Sequence, residues 1–452
     1  MTASSRSPDL PVRLVVLNHN GGDLTIRCLR AILELDWPAD GLEVVCLDND
    51  STDGSADRIE RELPQVDLRR LGSNIGFPAN NRAFGDLDQV RYVGLVNNDA
   101  FVEPGWLASL VEVLDDDPGL GAACPKILLE PRFSTVSIQA PSFSAGSSDA
   151  RSLGLCLRTV EVGGIDVSRA AHLDQTGWGR EVDARGAFEW SRPTGVLRVP
   201  APTESGSFPI VVVFDLPSAG RVTIDGGEGP MEHDLPAGTH RIAVTVSGGR
   251  VDVINGVGSL VYADGYGADR GWLAIDDGRF DEPVDVFAWS GGGVLLRPRY
   301  LEDVGLFDER FFLYYEDTDL SWRGRSRGWR YRTVPTARMR HVHAASSSDD
   351  SGLAQRLTER NRLLMLVRNA STRLAITQIL RFPLTTASYA RRDVVRPLLA
   401  GERPSGTRVG WRLRSFAGFL RLLPGALRDR RSLRALRILP VAEVESGLRV
   451  HE

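Results

Sequence analysis

The stretch from Trp289 to Trp329 holds a dense group of acidic residues that could carry out acid–base chemistry. Glu316, Asp317 and Asp319 follow directly after the apolar run 311–315. Carboxylates are seldom buried without a partner, and burial against apolar groups raises their pKa. A carboxylate in that environment is suited to accept a proton from a hydroxyl group. The alternative is structural, because the helix dipole also favours acidic residues in the first turn of a helix.

Short polar side chains follow several predicted strands in the first hundred residues. The apolar runs Val12–Leu17, Leu42–Leu47 and Tyr92–Val96 each predict a strand that ends in Asn or Asp residues. Apolar residues at helical spacing follow the first run, which indicates a parallel α/β sheet with ligands at the carboxyl ends of its strands. Asp99, after the third of these runs, is a candidate ligand for a hard divalent ion that bridges a diphosphate. Such turns also cap helices without binding any ligand.

The composition limits the class of protein. A chain of 452 residues with 42% hydrophobic and 25% charged residues is an ordinary globular protein with two or three domains. Its net charge of −5 argues against a general nucleic-acid binder. The cysteines form no C-x-x-C pair, which favours buried free thiols in a reducing compartment. No apolar run is long enough for a signal peptide or a membrane span, so we expect a cytoplasmic protein.

Two further segments depart from the α/β pattern. From Arg132 onward, short alternating apolar runs separated by Gly and Pro predict a β-sandwich. Its aromatic residues could stack on sugar rings or could fill the core of the domain. After Ser348 the pattern becomes helical, and arginines far outnumber acids. Amphipathic basic helices of this kind lie on anionic membranes, or they pack on a sheet and expose a solvated basic face.

The successive motifs resemble those of the family 2 inverting glycosyltransferases, and most closely the rhamnosyltransferase-like branch that acts on bacterial cell-wall and surface polysaccharides. They cover about residues 12 to 130 and 257 to 346, and read LVVLNHN, LDNDSTDGS, SNIGFPANNRAFG, VNNDAFVEPGW, SGGGVLLRPRYLEDVGLFDERFFLYYEDTDLSWRGRSRGW and RHVHAAS. The resemblance implies a GT-A fold, which is a Rossmann-like, mostly parallel sheet flanked by helices. It also implies a nucleotide-diphosphate sugar donor, such as a dTDP- or UDP-sugar, and a divalent cation, Mg²⁺ or Mn²⁺.

The resemblance also assigns roles to single residues. Asp317 matches the catalytic base, and Glu316 is expected to orient it or to cap the following helix. Asp99 matches the metal-binding carboxylate, with His341 or His343 completing the metal shell. The family's D-x-D motif is replaced by 97–99, which keeps only its last carboxylate. The expected donor-binding residues are Asn18, Asp48, Asn49, Ser51, Asp53, Asn74, Gly76, Phe77, Asn81 and Asn98.

We therefore expect an enzyme with four segments: a donor half in 1–130, an inserted β-sandwich in 131–256, an acceptor and catalytic half in 257–347, and basic amphipathic helices in 348–452. The expected reaction moves a sugar, first of all rhamnose, onto a glycan or a polyprenyl-diphosphate-linked acceptor. A lipid acceptor favours peripheral attachment to the inner face of the cell membrane. The alternatives are a galactofuranosyl or other hexosyl transferase, a non-catalytic glycan- or nucleotide-binding relative, and a sugar nucleotidyltransferase.

Overall fold

The structure is a computed structural model that describes residues 10–144, 151–174, 177–183, 185–202, 206–342, 352–401 and 403–450. The chain forms two compact units. The first comprises Met1–Ile127, Gly256–Arg270 and Phe280–Glu452, and the second comprises Leu128–Asn255 and Gly271–Arg279.

The first unit begins with strands and helices in alternation. The strands β1, β4 and β6 are buried apolar runs, and the helices α1 and α3 bury one apolar face each. The elements are β1 (Val12–Asn18), α1 (Gly22–Leu33), β2 (Leu42–Asp48), α2 (Ser55–Glu62), β3 (Asp67–Arg70), β4 (Tyr92–Asn97), β5 (Ala100–Val102), α3 (Trp106–Asp116) and β6 (Leu120–Leu129).

The second unit is built from two antiparallel sheets. Its strands are β7 (Phe133–Gln139), β8 (Cys156–Val162), β9 (Ile165–Asp166), β10 (His172–Leu173), β11 (Gly177–Asp183), β12 (Gly186–Ser191), β13 (Thr194–Pro200), β14 (Phe208–Leu216), β15 (Gly220–Asp225), β16 (Met231–Leu235) and β17 (Gly238–Val246). One sheet has the order β10-β13-β7-β15-β16 and the other β11-β12-β8-β14-β17. Alternating residues of both sheets, such as Ile138 and Val212, form one apolar core, so the unit is the predicted β-sandwich.

The chain then returns to the first unit and completes its sheet. The elements are β18 (Ile254–Val257), β19 (Ser259–Val261), β20 (Gly267–Asp269), β21 (Asp285–Val286), β22 (Gly293–Leu296), α4 (Pro298–Val304), α5 (Glu316–Ser326) and β23 (Arg330–His341). The sheet has the order β21-β23-β6-β22-β4-β1-β2-β3. Its β4-β1-β2-β3 half is parallel, whereas β22 runs antiparallel to both β4 and β6. The predicted α/β fold with an inserted sandwich is therefore confirmed.

The C-terminal part of the first unit is helical, as predicted. Its helices are α6 (Leu353–Asn369), α7 (Thr372–Ala390), α8 (Arg396–Leu399), α9 (Thr407–Leu436) and α10 (Val441–Ser446), with a π-helical turn (Arg391–Val395) before α8. Phe382 of α7 stacks on Phe416 of α9, and Phe419 of α9 is completely buried. In the described part of the chain, none of the helices combines the length and hydropathy that a membrane span requires.

The cysteines agree with the prediction made for them. Cys28, Cys46, Cys124 and Cys156 are all buried and carry free thiols.

Candidate active site

The carboxyl ends of β1, β2 and β4 meet at one edge of the sheet. The register pairs Asn18 with Asp48 and Leu17 with Asn97, so the polar residues that follow these strands lie side by side. Asn18 is completely buried, and its amide nitrogen lies 2.9–3.0 Å from oxygen atoms of Asp48, Ser51 and Ser55. In this structure, Asn18 fixes the shape of the turn after β2.

The turn after β2 also reaches the start of α1. The backbone N–H of Gly22 donates a hydrogen bond of 2.9 Å to Asp53, which also accepts hydrogen bonds from Ser55. Ser51 accepts a hydrogen bond from the backbone of Asn20 at 3.0 Å. Partial burial by itself would raise the pKa of Asp53, but the hydrogen bonds from Ser55 and Gly22 outweigh it and lower the pKa. Asp53 is therefore an ionised, exposed acceptor at this edge.

The predicted donor loop is held by Asn49. The side chain of Asn49 donates to Asn74 at 2.9 Å and accepts a hydrogen bond from the backbone of Ile75 at 3.0 Å. Gly76 has a φ of +74°, and a Cβ atom there would lie 2.0 Å from the carbonyl oxygen of Phe312. Only glycine fits this position, because the two backbones approach so closely.

Phe77 and Asn81 connect this loop to the segment that precedes the candidate base. The ring of Phe77 packs edge-on against Phe307, with 5.4 Å between the ring centroids. The amide of Asn81 both donates to the backbone carbonyl of Phe307 at 2.9 Å and accepts from its N–H at 3.1 Å. Both residues are predicted to bind the donor, and the structure adds this positioning contact.

Asp99 and His341 form the candidate metal pair. Strand β5 pairs with β23 at Ala100 and His341, and this places His341 Nε2 3.0 Å from Asp99 Oδ1. Asp99 is buried, and apart from the nearby His341 its Oδ1 has no hydrogen-bond partner among the described residues. The neighbouring Asn98 lies 3.3 Å from Thr25 Oγ1. His343, the other predicted histidine, lies outside the described residues.

Asp317 lies in the first turn of α5, and its carboxylate is held on both sides. One oxygen accepts a hydrogen bond of 3.0 Å from the N–H of Gly291, and the other accepts hydrogen bonds from the N–H and the hydroxyl of Thr318. Burial raises the pKa of Asp317, although these hydrogen bonds oppose the increase. The group is therefore oriented, half-buried and a better proton acceptor than a solvated aspartate.

The two neighbouring acids have different environments. Glu316 is buried, its Oε2 has no hydrogen-bond partner within the described residues, and burial raises its pKa well above the usual value, as does the nearby Asp317. Burial would likewise raise the pKa of Asp319, but Arg368 and Arg323 outweigh it and hold the pKa below the usual value. Asp319 is therefore a structural ion-pair partner, and Glu316 is a buried neighbour of Asp317 with a raised pKa.

The loop before α5 has an unusual backbone. Phe312, Tyr314 and Tyr315 have φ angles of 57°, 69° and 71°, a region that residues with a side chain rarely adopt. Asn361 of α6 is completely buried, and its amide nitrogen lies 2.7–2.9 Å from the carbonyl oxygens of Phe311, Leu313 and Tyr314. The helix α6 thus holds a strained loop that ends at the candidate base.

Asp269 is an acid near this site that is not among the functional residues predicted from the sequence. It ends β20, opposite Ser259 of β19, and burial followed by the negative charge of Asp317 raises its pKa to about 6, while His341 opposes the increase. The Gly- and Asp-rich composition around it was the one signal in the sequence, and that composition does not distinguish Asp269 from the neighbouring acids.

Part of the chain is similar to known proteins. Residues 14–151 match the family model for glycosyl transferase family 2. A segment of 61 residues is 43% identical to an N-acetylglucosaminyl-diphospho-decaprenol L-rhamnosyltransferase, found in two strains of Mycobacterium tuberculosis. The segment covers 14% of this chain and 20% of the relative, so the chain spans about a fifth of the length of the curated relatives it matches.

Similar solved structures include three glycosyltransferases. GalNAc-T7 with UDP, GalNAc and Mn²⁺ has a TM-score of 0.45 and 12% identity, and the match covers 92% of this chain and 57% of that one. Staphylococcus aureus TarS 1–349 has a TM-score of 0.40 and 11% identity, with coverages of 97% and 91%. The mannosyltransferase PcManGT from Pyrobaculum calidifontis, with GDP-Man and Mn²⁺, has a TM-score of 0.37 and 14% identity, with coverages of 98% and 82%.

The family match falls on the strands whose polar ends build the candidate donor site, and it agrees with the resemblance drawn from the motifs. The match to glycosyl transferase family 2 therefore covers residues 14–151, the part of the chain that contains these strands.

Proposed function

We propose that the protein is an inverting glycosyltransferase that uses Asp317 as its general base. The observation that carries this proposal is the Asp317 carboxylate, which is oriented by Gly291 and Thr318 and has a raised pKa, in a chain whose residues 14–151 match family 2. Asp317 accepts the proton of an acceptor hydroxyl, and the hydroxyl oxygen forms a bond to the anomeric carbon of the donor. The bond from that carbon to the diphosphate breaks, its electron pair leaves with the nucleotide, and the anomeric configuration inverts.

A divalent cation, Mg²⁺ or Mn²⁺, fits the residues at Asp99. Asp99 Oδ1 is a buried oxygen without a hydrogen-bond partner in the described part of the chain apart from His341, which offers a nitrogen beside it. The described residues contain no group of three or more acids, histidines or cysteines that could hold a metal. Ions such as Mg²⁺ use one or two carboxylates together with substrate phosphates and water, so a small protein ligand set is sufficient. The ion would neutralise charge on the leaving diphosphate.

Asp99→Ala provides a test of the metal. We expect the variant to bind the nucleotide-sugar donor more weakly in the presence of Mg²⁺ or Mn²⁺ than the wild type does. Without a divalent cation, the two proteins should bind the donor equally. The measurement is a thermal-shift titration with and without chelator, because a ligand stabilises the state to which it binds. Wild-type transfer that is unchanged by chelator would refute the metal role.

The donor and the acceptor are proposed from the relatives. The named activity of the mycobacterial relative favours rhamnose on a nucleotide diphosphate as the donor and a polyprenyl-diphosphate-linked glycan as the acceptor. UDP-galactofuranose and other nucleotide-linked hexoses are the alternatives. The proposal is supported by the position of the expected donor-binding residues, such as Asp48 and Asp53, at the carboxyl ends of parallel strands, the edge of an open α/β sheet that commonly binds ligands.

We further propose that the protein docks on an anionic membrane at the inner face of the cell membrane. On α9, Leu413, Leu420 and Leu427 are 59%, 48% and 49% exposed and recur at seven-residue spacing, which forms a stripe of ~21 Å along the helix. Each leucine is followed directly by an exposed arginine, and these are Arg414, Arg421 and Arg428.

The outer face of α7 shows a similar combination. Leu380 and Leu384 are 62% and 69% exposed, with the exposed Arg373 and Arg381 on the same helix. A helix with exposed leucines beside arginines can insert its apolar side chains at the lipid interface while the guanidinium groups contact anionic headgroups. This surface would bring the enzyme to a lipid-linked acceptor.

Transfer from a panel of nucleotide sugars to a membrane lipid extract tests the proposed function. We expect one donor to release its nucleotide and to deliver labelled sugar to the lipid fraction, with inverted anomeric configuration. A donor that raises the melting temperature without any transfer or hydrolysis would favour a non-catalytic binding protein instead. Formation of a nucleotide sugar from a sugar phosphate and a nucleoside triphosphate would indicate a nucleotidyltransferase.

A further inference from the structure

We infer that Asp269 binds the acceptor sugar by accepting a hydrogen bond from an acceptor hydroxyl next to the one that Asp317 deprotonates. This inference rests on the proposed function, and it adds a specificity-determining residue to that site. Three sets of observations support it: the backbone contacts of the hairpin that carries Asp269, the packing around its side chain, and its electrostatic neighbours.

The β19–β20 hairpin is hydrogen-bonded to the loop that holds the base. Asp269 pairs with Ser259 across the hairpin. Ser259 in turn exchanges two backbone hydrogen bonds with Ala288, of 2.9 and 3.2 Å. Ala288 lies three residues before Gly291, whose N–H donates to Asp317. A short path of backbone contacts therefore connects Asp269 to the base.

A second contact ties the hairpin to the helix of the base itself. The backbone N–H of Gly267 in β20 donates a hydrogen bond of 3.1 Å to the hydroxyl of Tyr315, which is the residue before α5. Tyr315 is two residues before Asp317. The hairpin is thus fixed to both segments that orient the Asp317 carboxylate, namely the glycine loop and the start of α5.

The side chain of Asp269 is confined. A Cβ atom on Gly256 would lie 3.2 Å from Asp269 Cβ and 3.4 Å from its carboxyl group, so the glycine leaves just enough space for this side chain. The hydroxyl of Ser259 lies 3.5 Å from the carboxylate. This close packing limits the directions in which the carboxylate can point.

Asp269 also interacts electrostatically with two residues of the candidate site. The negative charge of Asp317 raises the pKa of Asp269 and the imidazole of His341 lowers it, so its carboxylate interacts with both. The described residues contain no group of three metal-binding side chains, so Asp269 does not join Asp99 and His341 in one ligand set. An acid near the base but outside the metal pair is in reach of the acceptor, since the base itself must contact an acceptor hydroxyl.

Asp269→Asn tests the inference with the acceptor that the transfer assay identifies. We expect the acceptor KM to rise about 5- to 30-fold, because the neutral amide oxygen accepts a weaker hydrogen bond than the charged carboxylate does. The donor KM and the donor-induced thermal shift should stay unchanged. A deoxy acceptor that lacks the bound hydroxyl should react equally well with the wild type and the variant.

Asp285→Asn is the matched control, because Asp285 is an acid on β21 that pairs with Arg332 and Arg330. It should leave the acceptor KM unchanged. An unchanged acceptor KM in Asp269→Asn would overturn the inference while wild-type transfer still supports the proposed function. If Asp269→Asn unfolds, Asp269→Glu serves instead, and a longer side chain that leaves acceptor selectivity unaltered would equally contradict the inference.

Discussion

At the scale of single residues, the environment separates acids that are nearly adjacent in the chain. Asp317 and Asp319 are two positions apart in the first turn of α5, and both are acidic. Asp319 is completely buried and contacts Arg323, Arg368 and Asn369 through hydrogen bonds of 2.7–3.2 Å. Both of its carboxylate oxygens accept hydrogen bonds from arginine side chains. Asp317 instead accepts hydrogen bonds from the neutral groups of Gly291 and Thr318, and its pKa is raised. Asp317 is therefore the better proton acceptor.

Replacing the base tests this assignment. We expect Asp317→Asn to reduce the transfer rate about 10²- to 10⁴-fold, because the amide cannot accept the hydroxyl proton. The amide oxygen can still accept a hydrogen bond from Gly291, so the fold and the donor-induced thermal shift should persist. Initial rates of sugar transfer and a donor titration measure the two effects. Transfer within a few-fold of the wild type would mean that another group is the base.

Glu316 provides a prediction on pH and stability. Its pKa in the folded protein is raised, so the folded protein binds the proton more tightly than the unfolded chain does. Below the unfolded pKa of about 4.3 the residue is protonated in both states, and its contribution to stability is fully present. As the pH rises toward the folded pKa, that contribution is lost. Glu316→Gln removes the titration, so the variant should melt above the wild type at pH 8.

The melting temperatures of the two proteins should converge as the pH falls toward 4. The exposed Glu309→Gln serves as the control and should show no pH-dependent difference from the wild type. A constant offset between Glu316→Gln and the wild type over the whole pH range would show that the pKa of Glu316 is the same in the folded and the unfolded states.

At the scale of elements, helix α6 holds the loop that delivers the base. Three residues of this loop have positive φ angles, namely Phe312, Tyr314 and Tyr315. Each strained residue of this kind costs about 1–3 kcal/mol of conformational free energy. The buried Asn361 contacts three carbonyl oxygens of that loop, and Arg360 donates to the carbonyls of Arg310 and Phe311. The strain persists because a buried polar side chain on α6 satisfies the carbonyls that the loop conformation turns inward.

Removing this contact should affect both stability and catalysis. Asn361→Ala leaves buried carbonyl groups without a donor, so we expect the free energy of unfolding to fall by about 1–3 kcal/mol. The rate of transfer should fall as well, because the loop no longer fixes the start of α5, while the donor KM changes little. Denaturant unfolding and steady-state kinetics measure these effects. Gln355→Ala, at an exposed site on the same helix, should change neither quantity. A fully active Asn361→Ala protein would show that the loop keeps its conformation without the contacts of Asn361.

At the scale of the whole molecule, charge is unevenly distributed along the chain. The protein carries a net charge of −5, yet residues 372–439 contain 15 arginines and 3 acids. Part of this positive charge is structural, since the buried Arg412 pairs with Glu359 and Arg430 donates to the carbonyl of Val367. The three arginines beside the α9 leucine stripe are exposed and are not part of these internal contacts; they are Arg414, Arg421 and Arg428. They form a positive surface on a protein whose net charge is negative.

This distribution predicts salt-dependent binding to anionic vesicles. Replacing Arg414, Arg421 and Arg428 together by Gln should weaken binding to phosphatidylglycerol vesicles about 100-fold at low salt, since each arginine contributes about 1 kcal/mol at such a surface. Replacing Leu413, Leu420 and Leu427 by Gln should weaken binding at every salt concentration. Vesicle sedimentation measures both. Arg221→Gln with Arg241→Gln, two exposed arginines of the sandwich unit, is the control. Equal binding to neutral and anionic vesicles would contradict the proposal.

The sequence by itself determined the order of the elements and the types of the functional residues. Buried apolar runs ending in Asn and Asp predicted β1, β2 and β4 and their polar carboxyl ends, because parallel strands bury both faces and leave their ends free for ligands. The alternation of the sandwich strands and the excess of arginine in the last helices were equally visible. These are local patterns, and local patterns are set by the periodicity of helices and strands.

Only the tertiary structure decided how each polar group is used. Asn81 lies in a 3₁₀ helix (Phe77–Ala83), and its side chain bonds the backbone of Phe307, 226 positions away. Burial raises the pKa of Asp317 and Asp269, whereas at the buried Asp319 the charges of Arg368 and Arg323 outweigh burial and lower the pKa. Asn81 and Phe307, like Asp319 and Arg368, lie far apart in the chain, and burial, charge and hydrogen bonding depend on distances in space that residue spacing does not encode.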